Sequence, residues 1–443
     1  MAKKKQIELT IEEKLQNALV SKEEQPYKIP NNWCWTYIHN IAIVVTGKTP
    51  SKKNKEYYGG KFPFFKPADL DAGRNMQYAT EYLSEKGKSI SVIIPEKATG
   101  ICCIGTIGKC GYFLVEGTTN QQINTVISKI NPLYSYYFFN TNSFVRELIS
   151  KASATTIAIV NKSKLESCLF PVAPLNEQQR IVNRIESLFV KLDRAKELIE
   201  NTLAQFKQNK MAILHKAFTG ELTAKWRKEN NIDLSSWKKC ELKEVFKVVK
   251  DKYNPQTENQ IVNYIGLENI ETSKGIISKS NSSEVKSIKT KFKKDDVLYG
   301  KLRPYLNKHD VVNFDGICST DILVFRFNDI NTAKYINYYF NLPMFIQYAV
   351  ENSSGINLPR VSEKTISKYK ISLPTIEEQQ EIVNILDNLL AKYNKIKNLE
   401  QQLEKIELLK KAILAKAFRG ELGTNNPDEE SAENLLKEIL AEK

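Results

Sequence analysis

Chemistry at neutral pH needs side chains that exchange protons, attack carbon or hold a metal, and this sequence supplies few at useful spacing. Its only histidines are His39, His215 and His309, so imidazole acid–base catalysis is poorly provided for. Seven cysteines (Cys34, Cys102, Cys103, Cys110, Cys168, Cys240 and Cys318) include no Cys-x-x-Cys pair, which argues against a zinc site. Asp295-Asp296 and Glu377-Glu378 are carboxylate pairs without a third ligand or a nucleophile nearby in sequence. A turn and a helix N-terminus account for them.

Two further segments imitate functional motifs and fall short. Asn131-Pro132-Leu133-Tyr134 resembles the Asn-Pro-Pro-Tyr loop of amino-methyltransferases, but the second proline is missing. No glycine-rich turn after a strand precedes it to hold a methionine-derived cofactor, and the segment reads as a helix start. Gly105-Thr-Ile-Gly108-Lys109 lacks the spacing of a phosphate loop, and the helices flanking the Gly-x-x-Gly clamp of a KH domain are not evident. A tight turn between strands is the expected role. No catalytic residue and no metal ligand are assigned, and no cofactor is expected on this chain.

What the sequence does supply is positive charge. The 443 residues carry a formal net charge of +14 and a pI near 9.1, which points to a polyanionic partner. Lys48, Lys52, Lys53 and Lys55 form one cluster, and from Lys274 to Lys308 ten Lys or Arg face three Asp or Glu. The odd cysteine number fits a reducing compartment. The N-terminus lacks the apolar core of a signal peptide, and no apolar run approaches the ~20 residues that span a bilayer. A soluble, cytoplasmic protein is expected.

The elements that must position these charges come in two copies. Glu177-Gln-Gln-Arg-Ile-Val-Asn183 runs on to Lys216-Ala-Phe-Thr-Gly-Glu-Leu222, and Glu378-Gln-Gln-Glu-Ile-Val-Asn384 runs on to Lys416-Ala-Phe-Arg-Gly-Glu-Leu422. Between the signatures, Ile181, Ile185, Leu188, Leu192, Ala195, Ile199 and Phe206 keep the 4-3 spacing of a coiled-coil seam, broken at Thr202. Ile382, Leu386, Leu389, Tyr393, Ile396, Leu403 and Ile406 follow it in the second copy. Asn176 with Gln179, and Thr375 with Glu378, fit capping boxes, and Gly220 and Gly420 fit left-handed C-terminal caps. Each helix, about 42 residues long, would span about 63 Å, and two single-striped helices most simply pack on each other.

The blocks before the helices also repeat. Trp33 and Trp237 open them in the same way. Phe64 to Leu70 lines up with Tyr264 to Ile270, Gly117 to Ile123 with Gly316 to Ile322, and Tyr136 to Phe139 with Tyr338 to Phe340. The chain is therefore read as a tandem duplication of about 200 residues, of α+β class. Its expected parts are an N-terminal helical segment (1–26), a first mixed α/β domain (27–175), a long helix and linker (176–232), a second domain (233–374), a second long helix (375–422) and a polar linker with a short helix (423–443).

The duplication, the paired tryptophan openings and the Glu-Gln-Gln to Gly-Glu-Leu helices together resemble the specificity subunits of type I restriction–modification systems. Tyr27-Lys-Ile-Pro-Asn-Asn-Trp33, Phe218-Thr-Gly-Glu-Leu-Thr-Ala-Lys-Trp226 and Leu298-Tyr-Gly-Lys-Leu-Arg-Pro-Tyr-Leu-Asn-Lys308 read like phrases of that family. The resemblance implies two target-recognition domains, each reading half of a bipartite double-stranded DNA site. It implies an antiparallel coiled coil that separates the domains and sets the gap. It also implies two methyltransferase subunits using S-adenosylmethionine, and restriction–translocase subunits using ATP and Mg. Thr219-Gly-Glu-Leu222 followed by Thr223-Ala-Lys-Trp226 predicts the shorter gap class.

On that reading, phosphate contacts fall to lysines and base edges to Asn, Gln, Arg, Ser and Thr. The first domain offers Lys48, Lys52, Lys53, Lys66, Arg74, Lys109, Asn120, Gln121 and Gln122. The second offers Lys252, Lys301, Arg303, Tyr305, Lys308, Ser319, Thr320, Asp321, Asn357 and Arg360. The rival readings are a fused methyltransferase or nuclease, a coiled-coil scaffold without a DNA role, and an RNA-binding module.

Overall fold

The computed structural model describes residues 9–153, 158–258, 260–272, 274–394 and 397–442. The chain forms two compact units, residues 1–198 with 401–443, and residues 199–400. Among the described residues no helix is long and apolar enough to cross a membrane.

In the first unit the β-branched run Ala42–Thr46 pairs with Ile123–Ser128, which pairs with Thr99–Cys102 and then Cys110–Tyr112, all antiparallel. A second sheet joins Glu81–Leu83, Tyr58–Phe65 and Thr118–Thr119, the last two in parallel. Cys34–Tyr37 pairs with Leu169–Val172. The second unit repeats this wiring. Lys247–Val248, Ile322–Arg326, Val297–Gly300 and His309–Val311 form the four-stranded sheet. Asn263–Ile265 lies parallel to Gly316–Cys318 within a five-stranded sheet, and Lys238–Glu241 pairs with Lys370–Leu373. The aligned segments read from sequence occupy equivalent strands and, for Tyr136–Phe139 and Tyr338–Phe340, equivalent helices, so the duplication is one of fold.

The first long helix runs Leu175–Thr219; the second comprises Ile376–Asn394 and Lys397–Ala417. In the first unit Asp193 pairs with Lys410 at 2.5 Å and Lys196 with Glu407 at 2.9 Å. Residue number rises along one helix as it falls along the other, so the pairing is antiparallel. In the second unit Leu214 and Ala217 share a core with Ile382, Val383 and Leu386. Ile181 and Ile185 near the start of the first helix, Ile382 and Leu386 near the start of the second, and Ile406 next to the Lys196–Glu407 pair are buried. Leu188, Leu192, Ala195, Ile199 and Phe206 are half-buried, as expected of a two-helix seam that covers only a narrow stripe. Ile396 and the side chain of Tyr393 lie outside the described residues.

The repeated signatures are the joints between helix ends and domains. Trp33 donates its indole N–H to Glu177 Oε2 at 2.7 Å, and Trp237 does the same to Glu378 Oε2 at 2.8 Å. Glu378 also accepts from Thr223 Oγ1 at 2.6 Å and from Arg227 Nη1 at 2.5 Å; Glu177 accepts from Asn425 at 3.0 Å and Thr424 at 3.4 Å. Gln178 and Gln379 each donate to a backbone carbonyl five residues earlier, both at 2.8 Å. The phenylalanine of each closing signature inserts into an aromatic core: Phe418 lies 5.0 Å from Tyr134 and Phe218 lies 5.1 Å from Tyr335.

Gly220 (φ 83°) and Gly420 (φ 73°) take the left-handed cap conformation. A Cβ on Gly420 would meet the Pro30 ring at 2.3 Å, whereas one on Gly220 would meet the movable end of Leu234, so there the positive φ is what favours glycine. The reciprocal capping boxes do not form. Asn176 lies inside the helix, which starts at Leu175, and Gln179 bonds Asn183 and Asn131 instead. Thr375 Oγ1 accepts from Glu378 N at 3.4 Å, but the Glu378 carboxylate turns inward. The buried bonds to Trp237, Thr223 and Arg227 hold it there, away from the exposed backbone.

Candidate nucleic-acid interface

In the first domain the strand Ala42–Thr46 delivers Gly47 against the loop that holds Asn120 to Gln122. Gly47 N donates to Ile123 O at 3.2 Å and Lys48 N to Thr119 O at 2.9 Å. A Cβ on Gly47 would lie 2.2 Å from Thr119 Oγ1, so glycine alone permits this approach. It brings Thr49 to Gln121, Oγ1 donating to Oε1 at 2.5 Å. Lys48 and Gln121 are exposed on the joined loops, and Lys52 and Lys53 are exposed in the turn beyond. Asn120 is buried; its amide donates to Gln122 Oε1 at 2.9 Å and accepts from Gln122 N at 3.2 Å.

The same loop is tied to the turn at Gly105. Cys103 N donates to Gln122 O at 2.8 Å, and Val160 N to Cys103 O at 2.9 Å. Gly105 and Gly108 both take positive φ, and Cys102 N donates to Lys109 O at 2.8 Å across the turn. The tight turn expected here is present. Lys109 is held by Asp71 at 2.6 Å, Lys66 by Glu81 at 2.5 Å, and Arg74 by Glu186 on the long helix. These three cations are neutralised by carboxylates of their own unit, whereas Lys48, Lys52 and Lys53 stand in solvent.

The second domain builds the same junction with different side chains. Ser319 N donates to Ile265 O at 2.9 Å as Asn120 N does to Phe65 O at 3.2 Å, and Lys301 N donates to Asp321 O at 2.9 Å. Ser319 Oγ accepts from Asp321 N at 3.3 Å. The left-handed positions of the turn are Arg303 (φ 54°) and Asn307 (φ 43°), where the first domain has glycines. Arg360 reaches Asp321 at 3.2 Å. Lys301, Arg303, Ser319, Asp321 and Arg360 are thus brought together, with Arg303, Tyr305, Thr320, Asn357 and Arg360 exposed. Lys308 donates to Leu267 O at 2.7 Å, holding the frame as Lys109 does. Lys252 is exposed and lies in the five-stranded sheet whose strand Gly316–Cys318 runs into Ser319, its amine 3.2 Å from Thr290 Oγ1.

Sequence reasoning missed Thr49 and Ile356. The first has no signature. The second stands as an apolar residue between Gly355 and Asn357, with Leu358 and Pro359 following in the same turn. The discarded motifs resolve as structure. Asn131 caps the helix Pro132–Phe139 by accepting from Leu133 N and Tyr134 N. Asp296 accepts two bonds from Arg326, at 2.8 and 2.7 Å. All seven cysteines are buried and unpaired, and burial pushes the Cys34 and Cys318 thiols up to about 12 and Cys103 to about 11. They stay protonated and are poor nucleophiles. Among the described residues no group of three His, Cys, Asp or Glu could hold a metal ion.

The Arg303–Asn307 turn rests on a buried histidine. Asn307 Nδ2 lies 3.0 Å from His309 Nε2, and His309 Nδ1 lies 2.6 Å from Asn337 Oδ1. A proton on Nε2 would face the Asn307 amide donor. Burial holds the His309 pKa down at about 4, against about 6.5 in an unfolded chain. Its neutral form therefore stabilises the second unit fully above pH 6.5, and that stability is lost as pH falls toward 4, about 3 kcal/mol over the window. Hydrogen exchange at pH 7 and pH 5 should show residues 301–309 opening on acidification, and His309→Gln should flatten that difference.

A family model described as the type I restriction modification DNA specificity domain matches residues 30–205 and again 235–408. The specificity subunit of the type I restriction enzyme EcoDI from Escherichia coli is 25% identical, with 94% of this chain and 96% of that protein covered. The MjaIX specificity subunit from Methanocaldococcus jannaschii is also 25% identical, over 90% of this chain and 96% of its own length. Among solved structures, a chain from work on complex assembly and conformational transition of a type I R-M system superposes with a TM-score of 0.68. It is 18% identical and covers 89% of this chain and 100% of its own. The HsdS subunit from Thermoanaerobacter tengcongensis gives 0.55 at 18% identity, covering 90% and 99%. These two share the fold.

Proposed function

Since the chain belongs to the family of type I restriction–modification DNA specificity subunits, we propose that each of its domains reads one half of a bipartite duplex site through the loop junction described above. One observation carries this reading. Both domains tie the loop by matching backbone bonds, Asn120 N to Phe65 O and Cys103 N to Gln122 O in one, Ser319 N to Ile265 O and Lys301 N to Asp321 O in the other, yet present Gly105 and Gln121 in the first and Arg303, Thr320 and Asn357 in the second. Common geometry with divergent exposed side chains is what two readers of different sequences require. Lys48, Lys52, Lys53 and Lys252 contact phosphates. Gln121, Arg303, Tyr305, Thr320, Asn357 and Arg360 face bases. Asn120, Gln122, Ser319, Asp321, Lys66, Arg74, Lys109, Lys301 and Lys308 hold the loops and frame.

The chain itself is non-catalytic. Two methyltransferase subunits, which hold S-adenosylmethionine, dock on the helices, and restriction–translocase subunits supply ATP- and Mg-dependent cleavage in the cytoplasm. The helix pair keeps the half-sites apart, and the single Thr219-Gly-Glu-Leu222 unit sets the shorter gap.

A filter-binding competition of the full chain, co-purified with its methyltransferase partner, tests the reading. Duplex DNA should outcompete single-stranded RNA, and the reverse order would favour an RNA-binding module. Changing Lys48, Lys52 and Lys53 together to Ala should reduce the salt slope of duplex binding by about 2–3, since each phosphate contact contributes about 0.9. It should leave the preferred sequence unchanged.

A further inference from the structure

One apolar residue stands at the candidate interface with nothing from its own chain over it. Ile356 is fully exposed, with a relative accessibility of 101%. An exposed isoleucine is ordinary in itself; its setting is not. It sits at the tip of a hairpin closed by Ser354 N to Arg360 O at 2.9 Å and Arg360 N to Ser354 O at 2.8 Å. Gly355 at φ 101° turns the tip outward. Arg303 N binds the hairpin at Pro359 O (2.7 Å), and Val361 N binds Lys301 O (3.0 Å). The tip is therefore held by backbone bonds to the same turn that carries Arg303 and Tyr305.

Arg303 is itself in the left-handed region, where a side chain costs on the order of 1 kcal/mol and where the first domain uses Gly105. An exposed arginine stands at that cost in the turn whose backbone binds the hairpin. An apolar tip followed by Asn357, on a hairpin bonded to a turn that carries an exposed cation, suits a duplex groove, with phosphates at its edge and bases on its floor.

Resting on the reading above, we propose that Ile356 is a base-contacting residue of the second domain, making an apolar contact inside the half-site that residues 233–374 read. Two versions share this chemistry. Ile356 packs on a thymine methyl, or it wedges into a loosened base step.

The full chain with its methyltransferase partner would first select its preferred sequence from a randomised duplex pool, and Ile356→Ala would then be titrated on the selected duplex. The expected loss is about 5- to 150-fold on that duplex, confined to base changes in one half-site. Affinity for unrelated duplex and the salt slope should not move, because no charge is removed, and Ile356→Leu should stay within a few-fold of the parent. Uracil in place of thymine reproduces the loss if the contact is a methyl group. A rise in 2-aminopurine fluorescence with the parent chain, absent with Ile356→Ala, marks a wedge. A parent chain that selects a sequence, with Ile356→Ala indistinguishable from it, overturns the proposal and leaves the wider reading standing. A parent chain that selects no sequence overturns both.

Discussion

Replacing Glu378 by alanine should destabilise residues 199–400 by about 3–5 kcal/mol, the cost of stranding a buried charge. The carboxylate is completely buried, and the Arg227 side chain opposite is 9% exposed. Once Glu378 is gone, Arg227 keeps Gly220 O and Thr223 Oγ1 as partners but no counter-charge. The joint between the end of the first long helix and the start of the second would loosen with it. Glu177→Ala in the other unit should cost less, about 2 kcal/mol, because Trp33, Thr424 and Asn425 are neutral donors. Urea titrations followed by hydrogen exchange in each unit separate the two effects. Pairing Glu378→Leu with Arg227→Met should recover most of the loss; equal losses from both glutamate variants would contradict the assignment.

Exchanging residues 27–175 for the corresponding block of another family member should change one half of the recognised sequence and leave the other intact. Specific sites are bound about 10³-fold or more tighter than unrelated DNA, so the old half-site should fall to background. The graft must keep Trp33 for Glu177 and the backbone N–H of Asn131, which donates to Gln178 Oε1 at 3.0 Å. It must also keep the aromatic pocket around Tyr134 that receives Phe418.

The duplication was legible because its framework residues recur about 200 positions apart, and they recur because each has a partner. Trp33 and Trp237 mark block openings in sequence, but their reason, an indole N–H aimed at a buried glutamate, is a contact between distant segments. The capping boxes failed for the same reason. Local spacing nominated Thr375 and Glu378 for each other, and tertiary bonds outbid it. The sheets were legible only as strand candidates, since many strands are two to four residues long and their order depends on crossovers.

At the interface, the loops at Asn120 and Ser319 were legible by alignment, and their backbone bonds to Phe65 and Ile265 and to Cys103 and Lys301 correspond. Which cations are free to meet a phosphate was not. Lys109 and Arg74 look like Lys48 in sequence, but Asp71 and Glu186 neutralise them, and no count of lysines reveals that.

Single-molecule sequencing of methylated DNA from cells expressing the chain with its methyltransferase partner, as the parent and as the 27–175 exchange, tests the central claim most directly. The parent should yield one bipartite motif with a fixed unspecified gap, and the exchange should yield a motif sharing one half and the same gap. A continuous motif, or an exchange that alters both halves at once, would contradict two independent readers held by one pair of helices.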